Sequence, residues 1–562
     1  MDNQRLLIWG LFGLLGWITY QTWTQDYAPK PAALPTQQVE QPELVVTDEG
    51  GDLPELGEPS EADGDASLPA GTEDNQDTQV EAAAPTIRVV TDVLDLEIST
   101  QGGTIQSALL LRYPVHKDQP DTPVQLLSSE TANLGFIRTG LRTVKEGNQP
   151  DYQKTFSAGA ASYEMNDADE LVVSMTHQSD DGATIEKRFR FKRGSYAITV
   201  EHEVSNNGTG LWRGAAYAQI VRVSKEQKRS MFDVDSYSFA GPIVYTGEKA
   251  EKLKRADLME DGPYDFKSQA GWIGVIQHHF LSAVVPQRDT ERSYRVSVTG
   301  DRSTASVSGL AESVAPGSSK LFSTTVFIGP KLQSQMEEID KTLTLTVDYG
   351  WLTIISHPLF LLLSFVYDFV GNWGVAIIFV TFLIKLAFYK LTESSGRSMA
   401  KMRNLQPRMK ALQDRYKDDK QALGTATMEL YKREKVNPAA GCLPILIQMP
   451  FFLAFYWVLL ESVEMRQAPF ALWLTDLSTK DPYFILPLIM GAAMLLQQRL
   501  NPAPADPVQA KVMQIMPVMF TAFFAFFPSG LVLYWVTNTS LSIAQQWKIN
   551  KVVEREAKEK KH

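Results

Sequence analysis

The chain has 562 residues, a length that exceeds one compact core and predicts at least two domains. Its formal net charge of −11 is unevenly distributed, with acids concentrated in the N-terminal half and basic clusters between apolar segments of the C-terminal half. The single cysteine, Cys442, excludes an intramolecular disulfide framework and a multi-cysteine metal site. His278 and His279 are adjacent in a predicted strand, where neighbouring side chains point to opposite faces, so we expect no metal site and no cofactor.

The first 85 residues predict a membrane anchor and a linker. Residues 6–23 are apolar, follow the positive residue Arg5 and lack a small-residue cleavage site after them. Residues 1–24 therefore predict an uncleaved signal-anchor helix. Residues 25–85 are rich in Pro, Gly, Asp and Glu and contain too little apolar surface to fold, which predicts an acidic disordered linker.

Residues 86–330 consist of short alternating apolar runs separated by turn clusters, a pattern that predicts a large all-β sandwich. Such a domain could bind or process sugars, and five of its aromatic residues could line a cleft: Trp212, Tyr217, Phe239, Tyr245 and Trp272. Burial in the core is the stronger interpretation, because aromatic residues in strands mostly pack inside. No pair of carboxylates stands in a recognisable catalytic context. A membrane-tethered carbohydrate enzyme nevertheless stays open as an alternative.

Residues 351–391 are almost continuously apolar and, as one helix, would be about 60 Å long, twice the hydrocarbon thickness of a bilayer. The pattern therefore predicts two helices, with the break at residues 371–372. We expect the first, within the connecting segment 331–372, to begin near Pro358 and to lie in the membrane interface. The second, residues 373–391, is predicted to cross the membrane.

One lysine, Lys385, lies well inside the predicted span 373–391. A charged side chain in the hydrocarbon costs about 2.5–3.5 kcal/mol even on the insertion scale, so such residues usually face a water-filled cavity or a polar partner. Thr381 and Tyr389 lie four residues to either side and share its helical face. The alternative is that Lys385 extends to the lipid headgroups from near the helix end.

The next segment, residues 392–436, is strongly basic and is cytoplasmic by the positive-inside rule. Its apolar residues recur at helical spacing on both sides of a polar break, which predicts a helical hairpin with two amphipathic arms. The basic face of the hairpin could bind ribosomal RNA or anionic lipid, or it could simply be solvated.

Three further apolar stretches, at residues 438–463, 483–498 and 512–548, predict four more spans, because the last stretch turns at Pro528-Ser529-Gly530. Together with the anchor and the span at 373–391, they give a polytopic α-helical membrane protein with six transmembrane helices. The region 437–548 then contains the third to sixth spans, and residues 549–562 form a basic cytoplasmic tail.

Four stretches carry a resemblance to a known family. They read NPAAGCLPILIQMPFFLAFYWVL at 437–459, QAPFALWLTDLS at 467–478, DPYFILPLIMG at 481–491 and FPSGLVLYWVTN at 527–538. In this order they resemble the YidC family of bacterial membrane protein insertases. The anchor, the linker and the large β domain resemble the layout of the Gram-negative form. The family usually has arginine at the position of Lys385, and lysine keeps the charge but not the bidentate geometry.

The resemblance implies a hydrophilic groove that receives the polar part of an incoming protein. Polar residues that could form the groove share facing helices: Lys385, Thr381, Gln448, Asn538, Ser542 and Gln545. Residues expected to contact the substrate at the lipid-side rim are Phe452, Tyr456, Met516, Tyr534 and Trp535, for which ordinary helix packing is the alternative. Residues expected to contact the ribosome are Arg403, Arg408, Lys410, Tyr389 and Asp506.

The resemblance also implies partners and a location. The expected partners are nascent membrane proteins, the SecYEG and SecDF components of the translocon, the ribosome or targeting machinery, and the lipid bilayer. The expected location is the bacterial inner membrane, with both termini cytoplasmic and residues 25–350 periplasmic.

The sequence contains neither a nucleotide-binding loop nor a nucleophile paired with a base, so we expect no enzymatic activity. The energy for insertion would come from moving apolar substrate segments into lipid. A small-molecule or ion transporter is the main alternative, but its usual signature of inverted repeats with broken helices is not found in the sequence.

Overall fold

The computed structural model describes residues 84–143, 151–223, 238–288, 290–416, 419–434, 436, 443–500 and 507–559. They form a β domain followed by a helical region. The predicted signal anchor, nearly all of the predicted linker, Cys442 and Asp506 lie outside the described residues.

The β domain contains 20 described strands. In chain order they are β1 (Thr86–Val90), β2 (Leu94–Ser99), β3 (Ile105–Pro114), β4 (Pro123–Leu127), β5 (Gly135–Thr143), β6 (Ser157–Ala158), β7 (Ser162–Glu164), β8 (Glu170–Gln178), β9 (Ala183–Lys192), β10 (Ala197–Asn206), β11 (Trp212–Val223), β12 (Ala240–Tyr245), β13 (Ala250–Lys252), β14 (Tyr264–Ser268), β15 (Trp272–Gln277), β16 (Phe280–Pro286), β17 (Arg292–Thr299), β18 (Arg302–Ser308), β19 (Glu312–Val314) and β20 (Ser319–Pro330). A short helix, α1 (Arg255–Asp261), follows β13.

The strands form two sheets, which confirms the predicted β-sandwich. One has eleven strands in the order β14-β17-β18-β11-β5-β3-β2-β1-β7, with β19 beside β11 and β4 beside β3. The other has nine in the order β13-β12-β15-β16-β20-β10-β9-β8-β6. The packing of the two sheets follows from the alternation of apolar and polar residues along each strand. In the antiparallel pair β9 and β10, every second residue is buried, because successive side chains point to opposite faces of the sheet.

The aromatic residues considered for a sugar cleft mostly belong to the core. Trp212, Tyr217 and Trp272 are at most 3% exposed, and Tyr245 stacks on Trp272 with ring centroids 5.9 Å apart. Phe239 is partly buried against the same core. The interpretation that these residues pack inside the sandwich is therefore correct for four of them.

The prediction for His278 and His279 is wrong in its geometry. The two residues form the turn between β15 and β16, and His278 has a positive φ of 52°. Because the chain reverses here, the two rings do not point to opposite faces but stack, with their centroids 3.7 Å apart. His279 is buried, and desolvation lowers its pKa well below the ordinary value.

Ten helices follow the β domain in the described residues. They are α2 (Gln333–Ile339), α3 (Thr353–Val370), α4 (Trp373–Ala387), α5 (Tyr389–Asn404), α6 (Gln406–Arg415), α7 (Lys420–Arg433), α8 (Leu443–Glu461), α9 (Ile485–Leu500), α10 (Pro507–Phe524) and α11 (Ser529–Glu559).

The break predicted at residues 371–372 is present: Gly371 ends α3 in the left-handed conformation, and the Asn372 side chain accepts a hydrogen bond from the Val375 N–H to cap α4. Pro358 is not in the first turn of α3, however, because the helix begins five residues earlier. By length and hydropathy, Gly350–Val370 is the one unbroken described helix that could cross a membrane. The interfacial position of this segment stays a prediction.

The helix predicted over 373–391 is shorter than expected. It ends at Ala387, and α5 leaves it at an angle of 70°. Phe388 has φ −92° and ψ 10°, outside the helical region, and the Thr392 hydroxyl bonds to the Phe388 carbonyl oxygen at 3.0 Å. The broken pair is the second described segment that could cross a membrane; α9 and the apolar parts of α8 and α10 are shorter.

The basic segment 392–436 contains three helical pieces where two arms were predicted. The first arm divides at Leu405 into α5 and α6, while α6 and α7 contact each other as a hairpin, with Arg408 paired to Glu434 at 2.6 Å. In α5, Gly396 lies against α11 so closely that a Cβ there would be 2.8 Å from Cδ1 of Ile549. The cytoplasmic position of the hairpin stays a prediction.

A buried ion pair joins the β domain to the helices. Lys331, which follows β20, donates a hydrogen bond from Nζ to Oε2 of Glu461 at the end of α8, over 2.9 Å, and the two side chains are 1% and 7% exposed. Beside it, the His278 ring bonds to the Leu460 carbonyl oxygen at 3.0 Å. The β domain therefore sits on the end of α8 through charged and polar contacts.

The last helix, α11, does not end where the predicted tail begins. It continues from Ser529 to Glu559 without a break, so the boundary predicted at residue 548 is not a structural one. At its first residue, the Ser529 N–H donates to the Thr479 carbonyl oxygen at 2.7 Å and the hydroxyl donates to that of Asp476 at 2.7 Å.

Candidate functional site

Helices α4, α5, α8 and α11 line an open cavity, and the space between them, which is continuous with solvent, amounts to about 370 Å³. Four of its ten lining residues were predicted as groove residues. The lining consists of Thr381, Ile384, Lys385, Phe388, Thr392, Ile447, Gln448, Phe451, Tyr534 and Asn538. Apolar and aromatic side chains thus surround a small number of polar groups.

Lys385 is fixed from across the cavity. Its Nζ donates to Oγ of Ser542 on α11 at 2.7 Å, and the Ser542 hydroxyl in turn donates to the Asn538 carbonyl oxygen at 2.8 Å. The lysine is half-buried, and no carboxylate is among the lining residues or its recorded hydrogen-bond partners in the described part of the chain. A positive charge held this way can attract an anionic group that enters the cavity.

Thr381 and Gln448 have different surroundings from Lys385. Thr381 is 1% exposed and donates its hydroxyl to the Ile377 carbonyl oxygen at 2.6 Å, within its own helix. The Gln448 side chain is hydrogen-bonded to that of Tyr534, which links α8 to α11. The structure therefore brings Lys385, Thr381, Gln448, Asn538 and Ser542 together, while their roles stay predictions.

Two polar residues meet at the bend between α4 and α5: Gln545, which was predicted as a groove residue, and Thr392, which was not. Gln545 of α11 donates from Nε2 to the Tyr389 carbonyl oxygen at 3.3 Å and to the Thr392 hydroxyl at 2.9 Å. Thr392 also lines the cavity. In one continuous helix, Thr392 would share the face of Lys385, seven residues earlier, and this spacing is a signal that could have identified it.

The residues predicted to contact substrate belong to an aromatic cluster of α8, α10 and α11. Phe452 lies edge-on to Trp535 with ring centroids 5.0 Å apart, and Tyr534 stacks on Phe455 at 4.4 Å. Tyr456 contacts Phe527 at 5.9 Å. Met516 is half-buried on α10. Within this set Tyr534 lines the cavity, and for the others both substrate contact and helix packing remain compatible with the geometry.

The residues predicted to contact the ribosome lie at different places. Arg403, Arg408 and Lys410 are exposed at the end of α5 and on α6. Tyr389 is half-buried at the start of α5, where its carbonyl oxygen accepts the hydrogen bond from Gln545. Asp506 lies outside the described residues.

The fold and the site define a class of protein: a β-sandwich domain joined to an apolar helical region whose helices hold a cavity with one lysine. Residues 86–362 match the YidC periplasmic domain, and residues 365–557 match the 60Kd inner membrane protein family. The chain therefore belongs to the YidC family of membrane protein insertases.

Relatives of similar length support this assignment. Membrane protein insertase YidC of Thioalkalivibrio sulfidiphilus is 45% identical, with 99% of this chain and 100% of the relative covered. That of Nitrosococcus oceani is 43% identical over the same shares. The solved structure of an active YidC insertase with its first transmembrane domain resolved is 19% identical, with 82% of this chain and 94% of that chain covered and a TM-score of 0.37. The name that the two relatives carry gives no support to the transporter alternative.

Proposed function

We propose that this protein is a membrane protein insertase and chaperone that inserts proteins into the bacterial inner membrane and helps them fold. Its membership of the YidC family, and the name that its relatives carry, support the proposal. The observation that carries the mechanism is the position of Lys385 in an open cavity between helices α4 and α11, bonded to the neutral hydroxyl of Ser542.

The cavity would lower the free-energy barrier for moving a polar segment across part of the membrane. A polar backbone group in hydrocarbon without a partner costs several kcal/mol. Polar side chains such as Gln448 and Asn538 offer such partners, and Lys385 offsets the cost of an acidic residue in the translocated segment. The client's apolar segment then leaves along the aromatic cluster into lipid, and this hydrophobic transfer supplies the energy. No covalent step is needed, so we propose no enzymatic activity.

The finer features follow as parts of the same proposal. The protein has six spans with both termini in the cytoplasm, its β domain is periplasmic, and α6 and α7 form a cytoplasmic hairpin. It works alone or with the SecYEG and SecDF components of the translocon. The exposed basic residues Arg403, Arg408 and Lys410 receive the ribosome or the targeting machinery.

The proposal is tested by reconstituting the full chain into vesicles and measuring protease protection of a newly made single-span client. Insertion should require the protein and should proceed without ATP once synthesis is complete. A matched variant without residues 86–320 should retain most of the activity, because the cavity lies wholly in the helices. Loss of all insertion in that variant, when its helices remain folded, would instead favour a function located in the β domain.

A further inference from the structure

We infer that the segment between α8 and α9, residues 462–484, docks into the membrane leaflet on the β-domain side through the exposed side chains of Leu472 and Tyr483. These side chains are 87% and 66% exposed. The segment lies on the β-domain side because Arg466 and Gln467 both donate to the Pro114 carbonyl oxygen, at 3.0 and 2.9 Å. The occupant we propose is lipid.

The first argument is the conformation of Leu472. Its φ of 57° lies in the left-handed region, where the Cβ of a leucine is sterically unfavourable. A tight turn holds it there: the Phe470 N–H donates to the Leu474 carbonyl oxygen at 2.9 Å, and the Leu474 N–H donates to that of Ala471 at 3.0 Å. Since almost the whole side chain is exposed, contacts of the Leu472 side chain within the described chain do not compensate for this strain.

The second argument is that the turn at residues 470–474 is held at a fixed position along the axis of α4. The Asn372 side chain, at the start of α4, donates from Nδ2 to the Phe470 carbonyl oxygen at 2.9 Å. The Phe470 ring covers Gly374 so closely that a Cβ on this glycine would be 2.1 Å from it. Leu472, two residues further on, is therefore held level with the first turn of α4, where a membrane-crossing helix meets the interface.

The third argument is continuity with a lipid-facing surface. The buried Asp481 carboxylate accepts hydrogen bonds from the Trp473 indole at 3.1 Å, the Tyr483 N–H at 3.0 Å and the Leu486 N–H at 2.7 Å. It thereby binds the residue after Leu472 to the first turn of α9. On the same turn of α9, Leu488 is 63% exposed. The apolar surface thus extends from α9 into the segment.

The composition of this surface also fits lipid better than a protein partner. Trp and Tyr are the side chains that concentrate at membrane interfaces, and both occur in this segment, as Trp473 and Tyr483. The exposed Lys480 can extend its amine to phosphate groups while its methylenes stay in the apolar layer. A second copy of the chain would be the other occupant.

The test uses a fluorescent label on single cysteines at three leucines, in a full-length chain whose Cys442 is replaced by serine. The positions are Leu472, Leu488 as the lipid-facing reference and Leu211, a β-domain residue that is 59% exposed, as the water-facing reference. Each protein is reconstituted into vesicles whose lipids carry bromine either near the headgroup or near the chain end. Client insertion by each labelled protein checks that it is folded.

At position 472 we expect quenching by shallow bromine at least half as strong as at position 488, and stronger than quenching by deep bromine. The label at position 211 should not be quenched. Equal behaviour of positions 472 and 211 would overturn the inference. A label at 472 that is shielded from water only when many copies share a vesicle, without bromine quenching, would overturn it in favour of a second copy.

Discussion

Lys385 and Ser542 join two helices through a single hydrogen bond, 2.7 Å from Nζ to Oγ, in which the partner of the charge is neutral. The positive charge is therefore positioned without being neutralised. We expect Lys385→Arg to retain insertion of a client with an acidic translocated segment, and Lys385→Ala to lower its rate about tenfold, the effect of about 1.4 kcal/mol on a barrier. Protease protection in reconstituted vesicles measures the rate.

Paired clients, identical except for an Asp or a neutral residue in the translocated stretch, provide the control. Ser542→Ala leaves the charge in the cavity, so acidic and neutral clients should be affected alike and only slightly. If wild-type and Lys385→Ala proteins insert the acidic client equally well, the electrostatic role is wrong. In that case the cavity would be only a hydrated path for the client.

Gln545 should fix the bend between α4 and α5. Gln545→Leu removes the hydrogen bonds to the Tyr389 carbonyl oxygen and to Thr392, which should cost about 1–2 kcal/mol of unfolding free energy. Electron-resonance distances between labels at Phe382 and Lys401 should broaden. Gln514→Leu is the matched control, at an exposed position of α10 for which the described residues show no hydrogen bond to α4 or α5. An equal broadening in that variant would show that Gln545 has no special part in the bend.

The buried pair of Lys331 and Glu461 should be far more sensitive to single than to double substitution. Lys331→Met alone leaves a carboxylate buried without its partner and should destabilise the protein by about 3–5 kcal/mol. Adding Glu461→Leu should recover most of this loss. Chemical unfolding in detergent measures the free energy of unfolding of the wild-type protein and of each single and double variant. The exposed pair Arg295–Asp265, expected to contribute less than about 1 kcal/mol, is the control.

Glu464 should make stability depend on pH. Its Oε2 is buried without a hydrogen-bond partner among the described residues, and desolvation raises its pKa from 4.5 to about 7. The folded state binds the Glu464 proton more tightly than the unfolded state does, so protonation of Glu464 adds to the free energy of unfolding. This stabilisation is complete below pH 4.5 and is lost as pH rises through 7. The loss at pH 8 is on the order of 3 kcal/mol. Between pH 5 and 8, the melting temperature of the Glu464→Gln variant should fall less than that of the wild-type protein. If the two melting temperatures fell equally with pH, the prediction would be wrong.

The basic face near the α6–α7 hairpin should carry salt-dependent ribosome association. Reversing Arg403, Arg408 and Lys410 to glutamate should weaken association, with a shallower dependence on salt, since each lost phosphate contact removes about 0.7–0.9 from the slope. Co-sedimentation with ribosomes at two salt concentrations measures this. Arg408 also pairs with Glu434, so the control exchanges the same three residues between arginine and lysine and keeps every charge. Unchanged association of the reversed protein at low salt would exclude this surface.

The features that follow from periodicity were predictable from the sequence. Strands β8, β9 and β10 coincide with runs whose apolar residues alternate, and the break between α3 and α4 coincides with Gly371, which alone signals a left-handed helix end. Helical spacing placed Asn538 and Ser542 on one face of α11, whereas the expectation that this face lies opposite Lys385 came from the family resemblance. These patterns depend on residues that are close in sequence, so they can be recognised without knowing the contacts between distant parts of the chain.

The features that failed depend on contacts between distant parts of the chain. The bend at Phe388 involves Gln545, about 150 residues away, and the stacked pair of His278 and His279 lies in a turn against the end of α8. Nothing in the neighbouring residues distinguishes these positions from a continuing helix or strand. The division of the hairpin segment at Leu405 is an exception, because it had a local signal that the prediction overlooked: Pro407 lies in the first turn of α6, two residues after the break.

Helix α11 connects several of the contacts described above, because it runs from Ser529 to Glu559 without a break. The helix is about 46 Å long and is attached at its first residue to the segment that precedes α9. Further along it holds Lys385, then the bend of α5, and finally Arg397 through Glu556 at 3.0 Å. A load applied at Glu559 would therefore be transmitted along one continuous helix to the hydrogen bond that holds Lys385.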